Sequence, residues 1–227
     1  MNNLLVRLSH IFAQILFSII TPFLLIPWIA QLSITRLFVA FCFGRLYGNR
    51  YQKIIDSFQG RYSLPMAKGL AKAKEIAGDK ISVALDCGTG TGFVTKQAAF
   101  EFSYTTFIAV DILHAMLKQA QENCKDIATP VFHVQADSFA LPFADRSVDL
   151  LLIQNTIPCF LEFARVCRPG GTIIYVDTSA GWITNLAIWL VDRQKIFETV
   201  MGKQVDIGFY VLAKKSVGFP TAGHQNN

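Results

Sequence analysis

Residues 81–95 read ISVALDCGTGTGFVT. The apolar run 81–85 stops at Asp86. Glycines follow at alternate positions, Gly88, Gly90 and Gly92, and a helix-compatible apolar segment begins directly after them. This order predicts a buried strand, a tight turn and a helix start. Glycine allows the sharp turn and a close backbone approach to a ligand, because no Cβ intervenes. The amides of the following helix N-terminus are expected to add a polar edge to that surface.

A glycine-rich strand-to-helix turn also occurs in dinucleotide-binding enzymes, whose G-x-G-x-x-G spacing would need a third glycine at position 93. Phe93 stands there. The pattern D-x-G-x-G-x-G instead resembles motif I of the class I S-adenosylmethionine (SAM) methyltransferases. Further matches follow in order. A strand at 106–110 ends in Asp111, 19 residues after Gly92, and a strand at 131–135 leads into Ala136-Asp137-Ser138. LPFADRSVDLLLIQN at 141–155 and RVCRPGGTIIYVD at 165–177 resemble the loop after the adenine site and the R-x-L-x-P-G-G strand entry, with Cys167 in the leucine place. The resemblance covers roughly residues 62–215. It is nearest to the subgroup of ubiquinone/menaquinone C-methyltransferases and related small-molecule and lipid methyltransferases.

That resemblance implies a site. Gly88, Thr89, Gly90 and Gly92 would make backbone contacts to the methionine part of SAM, with Asp86 orienting the loop or the ammonium. Asp111 would hold the ribose hydroxyls, and Ile112 would lie beside the adenine. Asp137 would accept from the adenine amino group with Ser138 in support. Asn155 would face the methyl group. It is the one weak catalytic candidate, since no general base stands out. The segment Asn155-Thr156-Ile157-Pro158 differs at two positions from the Asn-Pro-Pro signature of amino-methylating enzymes, so a protein or DNA amino group is not supported as acceptor.

The N-terminal quarter has a different character. Residues 1–55 contain no Asp or Glu and five basic residues, Arg7, Arg36, Arg45, Arg50 and Lys53. The other 172 residues carry 16 basic and 16 acidic side chains, so the basic excess is no nucleic-acid footprint on the folded domain. It suits a surface of anionic lipid. From residue 11 to 35 nothing is charged, and 11–32 as a helix would run about 33 Å, against a hydrocarbon core of about 30 Å. Pro22 and Pro27 interrupt it. A single bent span, a re-entrant hairpin or a helix lying in the interface all accommodate the segment. A cleaved signal peptide does not, because the run is too long and no small-x-small site follows. Basic residues after the run outnumber those before it, which predicts a domain on the cytoplasmic side. Residues 43–60 mix basic and aromatic side chains and read as a membrane-surface linker, a substrate-side lid, or both.

From residue 81 strands and helices alternate, which predicts an α/β, Rossmann-like fold with a mostly parallel sheet and an antiparallel C-terminal strand within 206–215. Expected units are a membrane-anchor segment at 1–45, a linker and lid helix at 46–80 with Ser63 as N-cap, the SAM-binding domain at 81–215 and a frayed tail at 216–227. Strands are expected at 81–86, 106–111, 131–135, 148–154 and 172–177. An apolar helix is expected from Trp182 to about residue 196, either buried on the sheet or bordering the substrate entrance and leaning toward the membrane. The five cysteines show no CxxC pair or ligand spacing and the four histidines are scattered, so no metal is expected and the thiols read as reduced and buried. The functional expectation is a membrane-anchored SAM-dependent methyltransferase acting on a lipophilic small molecule: a quinone precursor, an isoprenoid or a phospholipid headgroup. The alternative is a methyltransferase-like membrane interaction module without catalysis, against which the intact glycine pattern and the three acids count.

Overall fold

The computed structural model describes residues 60–78, 80–178, 181–206 and 208–217, with Ile19 and Leu32 as isolated positions. Apart from those two positions, the apolar stretch 11–35 lies outside the described residues, as do Cys42, the linker up to 59 and the tail from 218. Among the described residues no helix is long and apolar enough to cross a membrane.

A 3-10 turn, Arg61–Ser63, leads into α1 (Leu64–Ala77). Pro65 sits at the helix start, where its missing N–H costs nothing. Ser63 is not a side-chain cap: its hydroxyl donates back to the Gly60 carbonyl at 2.5 Å. There follow β1 (Val83–Cys87), α2 (Phe93–Glu101), β2 (Thr106–Asp111), α3 (His114–Cys124), β3 (Val131–Gln135), β4 (Val148–Gln154), α4 (Phe160–Val166) and β5 (Cys167–Asp177). A second 3-10 turn, Gly181–Ile183, opens α5 (Thr184–Arg193), and β6 (Phe197–Val205) and β7 (Gly208–Lys215) complete the sheet.

The strands form one seven-stranded sheet in the order β3-β2-β1-β4-β5-β7-β6. β1 to β5 pair in parallel, and β7 runs antiparallel to both β5 and β6. β4 lies at the centre and every one of its residues is buried. Its unbroken apolar run suits a strand covered on both faces. Even-numbered β4 residues, Leu150 and Leu152, pack with Met66, Leu70, Val94 and Ala98 of α1 and α2. Odd-numbered Leu151 and Ile153 pack with Phe163, Ala187 and Val191 of α4 and α5. The two-residue alternation of a strand thus divides one apolar run between two cores.

Apart from shifts of one or two residues, as at β1, three boundaries differ from the sequence expectation. β5 begins at Cys167 rather than 172, because Cys167 already pairs with Val148; Pro169-Gly170-Gly171 forms an irregularity in the ladder before pairing resumes at Thr172. The helix expected from 182 to 196 is a 3-10 turn and a ten-residue α-helix, ending at Arg193. Residues 197–205, left unassigned from sequence, form the edge strand β6. The β3–β4 connection carries no helix; the Arg165 guanidinium holds it instead. It donates to the carbonyls of Leu141 and Phe143 and pairs with Asp145 and Glu162. Lys215, buried, donates to the carbonyls of Ala164 and Cys167 at 2.5 and 2.8 Å, satisfying acceptors at the end of α4.

Candidate active site

β1, β2, β4 and β5 all point their carboxyl ends to the same edge of the sheet, where open α/β sheets bind ligands. The glycine turn leaves β1 at this edge. Gly88, Gly90 and Gly92 all take positive φ, at 74°, 56° and 81°, a conformation that costs glycine little. A Cβ on Gly88 would meet the Thr156 hydroxyl at 2.7 Å, and one on Gly92 would lie 3.1 Å from the Ala120 backbone of α3. These two glycines therefore also serve packing, of the turn on the β4 end and of α2 on α3.

The turn's donors face inward. The amides of Gly88 and Thr89 both donate to the Val110 carbonyl, that of Gly92 to Thr89 and that of Gly90 to the Asp111 carboxylate, all at 2.9 Å. These four amides bond within the fold, and the turn presents Cα surface and carbonyl oxygens at the edge. Asp86 lies inside it, 1% exposed. It accepts from the hydroxyls of Thr89 and Thr95 at 2.8 and 2.6 Å. Of its two expected roles, orienting the loop is the one this position serves. Burial pushes its carboxyl up to about 6, since desolvation disfavours the ionised form.

Asp111 ends β2. Its two oxygens accept from the amides of Gly90 and Leu113, both at 2.9 Å, and burial raises its pKa despite these bonds. The Ile112 amide also donates to Asp111; a carboxylate has about four acceptor positions, so acceptor capacity is left for a hydroxyl donor. Ile112 is half exposed beside it, an apolar surface at the edge. Asp137 and Ser138 are partly buried after β3, and Asp137 accepts from the Phe139 amide at 2.9 Å.

Asn155 follows β4 with φ 53°. Its Nδ2 donates to the Tyr62 hydroxyl at 3.0 Å and to Thr178 Oγ1 at 2.7 Å, and its Oδ1 accepts from the Thr178 amide at 2.9 Å. Both amide protons are thus engaged, so Asn155 joins the start of α1 to the end of β5 and positions Tyr62. Sequence reading missed Tyr62 and Thr178 as site residues. Thr178 carried one usable signal, a polar residue directly after a strand's carboxyl end. It also missed Gln154, the last residue of β4. Gln154 is 6% exposed, and neither its Nε2 nor its Oε1 has a hydrogen-bond partner. Such an orphaned amide at a ligand-binding edge is costly unless a ligand or water completes it.

Four described cysteines, Cys87, Cys124, Cys159 and Cys167, are buried and not joined in disulfides. Desolvation pushes Cys87 well up, Cys124 to about 11 and Cys167 to about 12, so none of these three is poised as a thiolate. Among the described residues no cluster of three His, Cys, Asp or Glu could hold a metal.

Residues 84–171 match a family described as a methyltransferase domain. That match spans 88 of the 227 residues and marks a methyltransferase-type domain within the chain. The chain is 34% identical over 116 residues to a malonyl-[acyl-carrier protein] O-methyltransferase of Marinomonas sp. (strain MWYL1), covering 48% of this chain and 43% of the relative. It is 32% identical over 112 residues to the ubiquinone/menaquinone biosynthesis C-methyltransferase UbiE of Bdellovibrio bacteriovorus, covering 44% and 45%. The matched part is under half the length of either relative. In fold it is similar to Burkholderia thailandensis 1,6-didemethyltoxoflavin-N1-methyltransferase, solved with bound 1,6-didemethyltoxoflavin and S-adenosylhomocysteine. That likeness has a TM-score of 0.60 and 15% identity, and covers 80% of this chain and 90% of the other.

The residues at this edge fit SAM. The cofactor's ribose carries two hydroxyl donors, which suit the spare acceptor capacity of Asp111. Its methionine part carries an ammonium and a carboxylate, which suit the unpaired acceptor and donor of Gln154 and the carbonyls of the turn. Its positive charge would favour the ionised forms of Asp86 and Asp111.

Proposed function

We propose that this chain transfers a methyl group from SAM to a lipophilic small molecule, a quinone precursor, an isoprenoid or a phospholipid headgroup. In this reading the N-terminal segment holds the domain at the cytoplasmic face of a membrane. The observation that carries it is the pairing of a SAM-type edge with a 55-residue segment free of acidic side chains and uncharged from 11 to 35. A lipophilic acceptor partitions into the bilayer, and an anchored enzyme meets it there without extracting it into water. The relative named for ubiquinone/menaquinone biosynthesis supports the quinone option; the relative named for malonyl-[acyl-carrier protein] widens the range of small acceptors.

When bound, SAM supplies an activated methyl on a sulfonium, whose departure leaves a neutral thioether. The protein's task is then to hold acceptor and methyl in line and to exclude water. Asp111, Ile112, Asp137 and Ser138 would fix the adenosine, while Gln154 and the glycine turn would fix the methionine part. Tyr62, held by Asn155, covers the edge from the α1 side. Incubating full-length protein in membranes with methyl-labelled SAM and a lipid extract tests this directly. Label entering the solvent-extractable fraction supports the reading. Bound SAM without any transferred label would instead favour the non-catalytic membrane module. Alkaline carbonate extraction of the same membranes tests the anchor: a chain released into the supernatant is not embedded.

A further inference from the structure

Helix α5 presents two unlike faces. Ile183, Ala187 and Val191 are buried against the sheet. On the opposite side Trp182, Leu186 and Trp189 are 68%, 40% and 51% exposed. Their spacing of four and three residues places them in one stripe along the helix. The Arg193 guanidinium continues the stripe and stacks over the Trp189 ring at 4.9 Å. Single exposed apolar residues need no explanation, but two tryptophans and a leucine in a row on a short helix do.

The stripe begins at the same edge of the sheet as the described domain. The described domain starts at Gly60, two residues before Tyr62, and Tyr62 is tied through Asn155 to Thr178. Trp182 is four residues beyond Thr178, at most about 14 Å of chain. Arg61 also pairs with Asp206 in the β6–β7 turn, fixing this junction to the same edge. Residues 1–59, with their uncharged run, thus connect to the described domain at the sheet edge from which the stripe starts. Tryptophan and arginine together match the headgroup level of a bilayer, where an indole has both an apolar and a polar neighbour and a guanidinium meets phosphate.

We infer that the Trp182–Leu186–Trp189 face of α5 rests in the lipid interface and turns the cofactor edge of the domain toward the bilayer. This rests on the anchored reading given above and adds an orientation to it. A tether alone leaves the domain free to rotate; a second contact on one face fixes which edge meets the membrane.

The test uses the full chain with Trp28→Phe, which leaves Trp182 and Trp189 as the only indoles. It is reconstituted into phosphatidylcholine vesicles with a minority of phosphatidylglycerol, carrying either ordinary or brominated acyl chains. Binding of S-adenosylhomocysteine confirms that the variant is folded. Indoles at the interface lie against the upper acyl chains, so bromination should lower emission about twofold. Emission that ignores bromination but is quenched freely by acrylamide would place the stripe in water and overturn the inference. Emission that ignores both would mean cover by another copy or by the chain's own N-terminal segment, and would overturn it too. Protein that floats with the vesicles yet shows no lipid quenching leaves the anchor standing and removes only the orientation. Protein that fails to float removes both.

Discussion

The side-chain amide of Asn155 donates to the hydroxyl of Tyr62, 93 residues earlier in the chain, at 3.0 Å. The same amide closes two bonds with Thr178, and Asn155 holds a φ of 53°. One residue therefore joins the ends of α1, β4 and β5 where the cofactor is expected. Losing it has two separable costs. Asn155→Gly removes the amide but suits the positive φ, and should destabilise by about 1–3 kcal/mol through the unmet Thr178 donor. Asn155→Ala adds the strain of a Cβ in the left-handed region, roughly 1 kcal/mol more. Chemical denaturation of the two variants checks the order; equal stability would mean that the backbone conformation is not held in solution.

Gln154 gives a sharper test of how the cofactor is held. Its orphaned amide is expected to serve the amino-acid end of the ligand. Gln154→Met keeps the volume and removes both polar atoms. It should bind S-adenosylhomocysteine about tenfold more weakly, in keeping with roughly 1–1.5 kcal/mol per lost hydrogen bond. Its affinity for 5′-methylthioadenosine, which lacks the amino-acid end, should be unchanged. Calorimetry with the two ligands decides it, and an equal loss for both would assign Gln154 to general packing.

Asp111 addresses the other end of the ligand. Asp111→Ala should weaken SAM by roughly 1.5–3 kcal/mol, the range for hydrogen bonds to a charged group, and should weaken 5′-methylthioadenosine equally. Asp111 also accepts from the Gly90 amide, so the folded state needs an independent check by near-UV circular dichroism. Unchanged affinity in a folded variant would remove the ribose assignment.

Most of the sheet was legible in the sequence because its strands end on punctuation. β2, β3 and β4 are apolar runs closed by Asp111, by Ala136-Asp137 and by Asn155, and they fall where expected. β5 starts earlier than the turn composition of Pro169-Gly170-Gly171 suggests, because Cys167 pairs with Val148 ahead of the irregularity those residues form. Helix α5 left two readings open because its composition is nearly all apolar. The structure gives each a share: Ala187 and Val191 lie on the sheet, while Trp182 and Trp189 face outward. The acids of the site could be read from their strand ends. Tyr62, Thr178 and Gln154 could not, because what singles them out is contact between distant segments, or the lack of any contact, and no local pattern encodes either.

The buried carboxyl of Asp86 predicts a pH signature. Its pKa is raised to about 6 in the folded state from 3.8. In the pH window between these values the native state holds a proton that the unfolded state has lost. Stability should therefore fall as pH rises from about 4 to 6, and the full penalty should be present above that. Asp86→Asn cannot ionise, and its side-chain oxygen can still accept from the hydroxyls of Thr89 and Thr95. Subtracting the variant's stability from that of the parent at each pH cancels the other titrating groups. The difference should shift by about 3 kcal/mol across the window, from the two-unit displacement at 1.36 kcal/mol per unit, with the parent losing ground as pH rises. Urea unfolding at pH 4, 5, 6 and 7 measures it. A difference that does not change with pH would mean that Asp86 keeps an ordinary carboxylate pKa. Water would then have to reach the inside of the glycine turn. A difference that grows the other way would place a cation beside Asp86.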